Sequence, residues 1–521
     1  MERMTYIHNL GLKFREIARL HSNRSAILRP DCVSTSYADL DQLSNRLARL
    51  LQQHELGRGD VVAIFHDKSP SAFASMLACL KLGIIYTNLD PDSPWERLRK
   101  ILQICEAKAI INGFAELPHS QSVTRHATSR IINLRDLHTQ STFQTFDPSD
   151  LPEVRNVTGA DPAYIMFTSG STGMPKGAVM SHANLLNFVA WAKERFEITP
   201  DDVLSNANPI YFDNSVFDFY AAVFSGAAMA PITSQEAREP RALVRIVNSA
   251  RCTIWFSVPS LLVYLLTTRV LTAADFPAVR KIIFGGEGFP KPKLKQLYDL
   301  FAHRADLENV YGPTECACIC SAHTIRASDF ADMKGLATLG FLAPNFDYEI
   351  LALDLQSADF GELFLRGPNV GLGYYNDAER TAKAFIQNPT HRRFADVGYR
   401  TGDLVQRDPD GRLHFKGRAD FQIKHMGYRI ELEEIEAALG TISGVKECAV
   451  VYRRFGEGLG QIIGFAALGT PIASEELVGS VARIVPPYMV PKRITILEAL
   501  PKNANGKIDR LALQSIASSS A

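Results

Sequence analysis

The sequence predicts an α/β protein: a large N-terminal unit of stacked α/β layers with a β-rich subdomain, then a small α+β C-terminal unit. Three observations point there. Short apolar runs alternate with helical periodicity over the first two thirds of the chain, the rhythm of a parallel sheet with crossover helices. The character changes after about residue 340, where strand alternation, close turns and mixed charge take over. The chain also has 521 residues, more than one hydrophobic core usually fills.

In chain order, VVAIF (61–65) is an apolar strand, SAFASMLACLKLG (71–83) a helix that ends in glycine, and AKAIING (107–113) a second strand. AYIMFTSG (163–170), CTIWFSVPS (252–260) and VRKIIFGGEG (279–288) continue the series. Each is an apolar strand that runs into a Gly- or Ser-containing loop, and α/β proteins place ligands at such strand ends. GELFLRGPNVGLGYY (361–375) and GRLHFKGRADFQIKHMGYRIELEEIE (411–436) form the β-rich part. The last hundred residues carry a helix (431–440), two strands (446–454, 460–468), a second helix (473–485) and the turn PPYMVP, while SIASSSA (515–521) reads as a frayed tail.

Composition narrows the function classes. Lys plus Arg and Asp plus Glu are both 56, so net charge suggests neither nucleic acid nor an anionic membrane as a partner. No apolar run is long enough to span a bilayer and the N-terminus lacks a signal-peptide pattern, so the expected location is cytoplasmic. The eight cysteines have no framework spacing. CACIC (316–320) reads as strand residues carrying small buried thiols, since no partner completes a metal-ligand set.

FTSGSTGMPKG (167–177) has the glycines, hydroxyls and lysine of a phosphate-holding loop, but its lysine falls one position late for the common nucleotide loop and precedes glycine instead of a hydroxyl. Together with LKLGIIYTNLDPDSPWERL (80–98), YFDNSVFDFY (211–220), NVYGPTE (309–315), YRTGD (399–403), the β-rich blocks above and NGKIDR (505–510), it resembles the amino-acid adenylation enzymes of the adenylate-forming superfamily, which also contains acyl-CoA ligases and luciferases. The resemblance implies two steps. A carboxylate attacks the α-phosphate of MgATP, giving an acyl adenylate and pyrophosphate, and a thiol then takes the acyl group.

The resemblance also implies roles. Thr168, Ser169, Gly170, Ser171, Thr172, Gly173 and Lys176 would hold the β- and γ-phosphates, with glycines letting backbone amides approach. Glu315 would be the Mg2+ ligand and Thr314 would touch the α-phosphate. Tyr311 would lie on the adenine face, Asn309 would bind its amino group and Gly286 would pass close to the ring; Asp403 and Arg418 would reach ribose and phosphate. Lys507 is the expected catalytic cation of the first step, relieving repulsion between carboxylate and phosphate. The units are expected at 1–419 (β-rich subdomain about 340–419) and 420–521, hinged at Asp420, so that a mobile small unit offers Lys507 first and then the face around Lys424 and Gly427 for thiol attack.

Asp213 stands where the family's amino-acid enzymes place a carboxylate for the substrate α-ammonium; an Asp here also suits a helix N-cap. The remaining pocket positions carried across are Asn214, Phe217, Phe256, Ile283, Gly285, Val310, Cys318 and Ile319, with no second charge. A neutral, small to medium α-amino acid, from glycine or alanine to valine or isoleucine, is the expected substrate. The chain is similar to free-standing D-alanine:carrier protein ligases, and about a dozen residues follow Lys507. The expected acceptor is therefore the phosphopantetheine thiol of a separate carrier protein, as in nonribosomal peptide synthesis. An acyl-CoA ligase and a non-catalytic nucleotide-binding scaffold are the alternatives.

Overall fold

The computed structural model describes residues 6–29, 34–126, 129–137, 141–352, 359–455, 459–503 and 508–519. Lys507 and Cys32 lie outside them. The fold is mixed α/β. A nine-stranded sheet runs in the order Phe341–Leu342, Ser321–Thr324, Asp306–Tyr311, Lys281–Gly285, Ile254–Ser257, Val203–Asn206, Ala228–Pro231, Ser25–Leu28, Ser34–Ser36. Its central strands pair parallel and its outer ones antiparallel. A second, seven-stranded sheet contains Val61–Phe65, Ile85–Leu89 and Pro162–Thr168 in parallel, and adds Lys176–Ser181 antiparallel to the last.

Helix Pro70–Leu82 is buried at every residue from Ser71 to Leu82, as expected of a helix that is apolar all round. Ser69 caps its start and Gly83, at φ +69°, closes its end. It packs in one core with Phe188, Phe217 and Phe219.

The β-rich region forms a five-stranded antiparallel sheet built on Val397–Arg407, which pairs with Phe360–Arg366 and Leu413–Arg418. Beyond it, Gln422–His425 and Tyr428–Glu431 make a hairpin. Its two-residue turn has Met426 at φ +52° and Gly427 at φ +82°, the left-handed pair that a tight hairpin needs. The three-stranded sheet Val445–Phe455, Leu459–Leu468, Arg493–Leu497 follows, covered by Leu432–Gly440 and Ser474–Ala482.

Two sequence expectations fail locally. Helix Arg510–Ser519 includes most of the stretch taken for a frayed tail, and it buries Leu513 and Ala517 against Ala449, Val451 and Phe465. CACIC is no strand: Thr314–Cys316 is a 3-10 turn, and Ala317 (φ +58°) and Cys318 (φ +74°) are left-handed. The buried-thiol expectation holds there: Cys316, Cys318 and Cys320 are buried and free. No helix among them is long and apolar enough to cross a membrane.

Candidate active site

The phosphate-type loop joins two antiparallel strands, with Thr168 opposite Lys176. It is a hairpin connection with no helix behind it, which is why the strand-loop-helix spacing of the common nucleotide loop is absent. Gly173 sits at φ +75° and donates to Gly170 O (3.0 Å), curling the loop back on itself. Thr168 Oγ1 lies 3.5 Å from Lys176 O across its base.

Groups from the Gln422–Glu431 hairpin and the helix after it occupy the inner face of this loop. Ser169 Oγ donates to Arg429 O (2.8 Å) and accepts from Glu431 N (3.0 Å). Gly170 N donates to Glu434 Oε2 (3.0 Å), and Lys176 Nζ pairs with Glu431 Oε1 (3.1 Å). Buried Arg97 holds the other oxygen of Glu434. Burial lowers the Lys176 ammonium below its usual range, helped by Arg429 and opposed by Glu431 and Glu315. Two carboxylates thus meet the donors that the sequence assigned to phosphate.

Glu315 is fully buried and accepts from Tyr374 Oη (2.7 Å) and Arg429 Nη1 (2.6 Å). Burial alone would raise its carboxyl, but the Arg429 and Lys176 charges and the tyrosine bond outweigh it and hold the group at about 2. Lys176 also lies 5.8 Å from the Tyr374 ring centroid, so loop and carboxylate share that side chain.

The hairpin carries two cations into the site. Lys424 and Arg429 are cross-strand partners, so they share a face. Lys424 Nζ lies 5.6 Å from the Tyr311 ring centroid, over the surface expected to take adenine. Gly427 anchors the tip: its N donates to Glu287 Oε2 (3.1 Å), and a Cβ there would meet Val258 Cγ1 at 2.6 Å. Tyr428 stacks on Tyr488 at 3.8 Å, and both rings pack against Phe212.

Asp213 makes no helix-cap hydrogen bond. Its Oδ2 instead accepts from Thr314 Oγ1 (2.6 Å). Burial raises its carboxyl above the usual range, against the hydrogen bond from Thr314 and the charges of Arg429 and Lys424. Asp213, Asn214, Gly286, Thr314, Asp403 and Lys424 line one cavity of about 60 Å³, which Thr168, Ser169 and Arg418 also reach. Asp403 accepts from Tyr311 Oη (2.6 Å) and Arg418 Nη1 (2.9 Å), and Asp420 fixes the other edge of Arg418 (2.5 Å). A second cavity, of about 330 Å³, shares Asp213, Asn214 and Gly427 with the first and opens to the surface between Tyr264 and Met426.

Other expected pocket residues do not line either cavity. Phe217 and Phe256 meet edge to face at 5.1 Å, and Ile283, Val310, Cys318 and Ile319 are buried behind them. A Cβ on Gly285 would stand 2.5 Å from Val310 O, so glycine is what lets these two strands approach. Asn214 is different: its amide lies over Gly286, 3.4 Å from where a Cβ would be. Asn309 donates to Thr338 O (2.7 Å). Ser171 and Thr172 face outward from the loop, into a separate cleft.

Sequence reasoning missed Arg97, Arg429, Glu431, Glu434 and Tyr374, although all five lie inside blocks it quoted. A motif marks its members without saying which of them meet. Their pairing spans up to 337 positions of chain.

This geometry agrees with the comparisons. The chain is 35% identical over 490 residues to an L-proline--[L-prolyl-carrier protein] ligase of Pseudomonas fluorescens, covering 92% of this chain and 93% of that protein. It is 32% identical over 485 residues to tyrocidine synthase 3 of Brevibacillus parabrevis, but spans only 7% of that much longer protein. Among solved structures, IdnL1 superposes with a TM-score of 0.78 at 27% identity, over 95% of this chain and all of that one (100%). The AMP-binding enzyme C-terminal domain matches residues 434–507, the segment of the covering helices and three-stranded sheet. With the AMP-binding enzyme domain matching residues 14–375, from the first helix through the phosphate loop to Tyr374 and Tyr375, the chain belongs to the AMP-binding enzyme family.

Proposed function

We propose that the protein activates a neutral, small to medium α-amino acid as its aminoacyl adenylate, releasing pyrophosphate, and passes the acyl group to the phosphopantetheine thiol of a separate carrier protein. One observation carries this reading: half-buried Asp213 stands where two cavities meet, one floored by nucleotide-type residues and one open to the surface. Burial has raised its carboxyl, so a cation that restores its charge binds favourably, and a substrate α-ammonium is such a cation. A fatty or aryl acid has no group for it. A relative of matching length is an L-proline--[L-prolyl-carrier protein] ligase, which supports the same reading.

The residues suggest an order of events. Thr314 has one hydroxyl proton and gives it to Asp213. An ammonium arriving at Asp213 replaces that donor and frees the hydroxyl for the α-phosphate. Asp403 would take the ribose hydroxyls, and Asn309 and Tyr311 the adenine. Lys507 would bridge the attacking carboxylate and the α-phosphate. Glu315 fits Mg2+: it is a buried, ionised oxygen donor beside the phosphate loop, a single carboxylate that leaves the other positions to phosphate oxygens. Bound there, the ion would neutralise phosphate charge.

In the present arrangement Lys424 and Arg429 fill the nucleotide side, and about 60 Å³ is left, far below the roughly 300–1,000 Å³ of ordinary ligand pockets. ATP therefore needs the small unit (420–521) to swing away about Asp420, and the docked arrangement suits the thiol step. The 330 Å³ cavity gives a slender thiol arm a way to Asp213 beside Gly427. Its rim includes Tyr264 and Met426, 47% and 62% exposed.

The second half of the proposal is tested by offering the loaded enzyme two acceptors, a phosphopantetheinylated carrier protein and free CoA. Carrier should be acylated much faster. Faster acylation of CoA would replace this reading with that of an acyl-CoA ligase.

A further inference from the structure

The phosphate loop has a second, outward face, where Ser171 and Thr172 stand and where a group with no assigned role meets them. Arg380, on helix Ala378–Ala384, reaches across to it: Nη2 donates to Thr172 Oγ1 and Nη1 to Met174 O (3.3 Å). The same Nη1 lies 3.6 Å from where a Cβ on Gly170 would stand. Asp377 Oδ2, 3.1 Å from Nη1, steadies the guanidinium from its own helix start. Arg380 lies in NDAERTAKAF, outside every role assigned from the sequence.

Arg380 and Lys176 line one cleft of about 410 Å³, with Ser171, Thr172, Tyr374 and Lys383. Asp377 and Glu379 line it too, Glu379 pairing with exposed Lys383 at 2.5 Å; Arg380 is the cation that bonds a hydroxyl of the loop, and Lys100 Nζ reaches the loop at Gly173 O (2.9 Å). On the inner side, Glu431 and Glu434 take Lys176 and Gly170 N, and Arg429 closes on Glu315. A phosphate group on this loop is therefore screened from the inner side by the docked small unit, while the outer cleft stays open. A planar guanidinium matches phosphate oxygens two at a time, which a lysine does not.

We propose that Arg380 is a pyrophosphate-binding residue and that the cleft it shares with Lys176 is the path by which pyrophosphate leaves the loop and, in the reverse direction, reaches it. The inference rests on the reading that this loop holds the β- and γ-phosphates. Arg380 would exchange its bond to Thr172 for phosphate oxygens as the leaving group moves outward.

The test is ATP–pyrophosphate exchange by the full-length protein with Arg380→Gln, Arg380→Lys and Lys176→Met. Arg380→Gln should raise the KM for pyrophosphate about tenfold, the effect of one charge-assisted hydrogen bond. The KM for the amino acid should not move, and Arg380→Lys should recover part of the loss. The proposal is overturned if Arg380→Gln leaves the pyrophosphate KM unchanged while Lys176→Met raises it, or if Arg380→Gln raises the pyrophosphate and amino-acid KM in equal proportion, as a merely structural role would. Should Lys176→Met and Arg380→Gln both leave the KM values for ATP and pyrophosphate unchanged, the loop reading itself fails, and this proposal with it.

Discussion

At the scale of one residue the proposed chemistry turns on Asp213. Its half-buried carboxylate accepts from Thr314, and the charged groups that act on it are Arg429, Lys424 and Glu315. Because its folded-state pKa is raised, the ionised form that would bind an ammonium on the proposed reading is lost as pH falls through a value above the ordinary carboxylate range. kcat/KM for the amino acid should therefore decline on the acid side, with an inflection above that range. Glu315, held at about 2, stays ionised there and cannot produce that limb. Asp213→Asn should lower kcat/KM about a hundredfold or more, as removal of one member of a buried charge pair does, and should abolish the limb. A pH profile of the variant parallel to the parent's would assign the limb to another group. The sequence showed Asp213 by its motif but left open a helix cap, because an aspartate before an apolar run suits both. Only the bond from Thr314, 101 positions away, separates them.

At the scale of an element, the hairpin and the helix after it carry the docking contacts: Lys424, Gly427 and Arg429 on the first, Glu434 on the second. Glu434 joins buried Arg97 to Gly170 N, so it stabilises the arrangement seen, whereas on the proposed reading ATP would require another. Glu434→Gln should thus lower thiol transfer about tenfold, as loss of a charged hydrogen bond would, and lower the KM for ATP in exchange. Parallel loss of both half-reactions would make Glu434 a folding residue and no more. Elements were legible where their periodicity was clean, as in VVAIF or ELEEIEAALG. They were not where composition misled: serines hid the spacing of Leu513 and Ala517 that buries the last helix, and alternating cysteines imitated a strand although Ala317 and Cys318 turn left-handed.

At the scale of the whole molecule, blocks far apart in the chain meet at one cavity: Arg97, Thr168, Asp213, Thr314, Asp403 and Lys424 all line it. What the order of the blocks did not contain was the relative placement of the small unit, set by pairs such as Arg97–Glu434 and Lys176–Glu431 that no local pattern encodes. Phe217, Phe256, Ile283 and Ile319 are packed in the core and line neither cavity, so their bearing on substrate choice, which the sequence expected to be direct, runs through the packing beneath Asn214. ATP–pyrophosphate exchange across a panel of amino acids and simple carboxylic acids tests this account most directly. It predicts the strongest exchange with a neutral, small to medium α-amino acid; strongest exchange with glutamate, lysine or a fatty acid would contradict it.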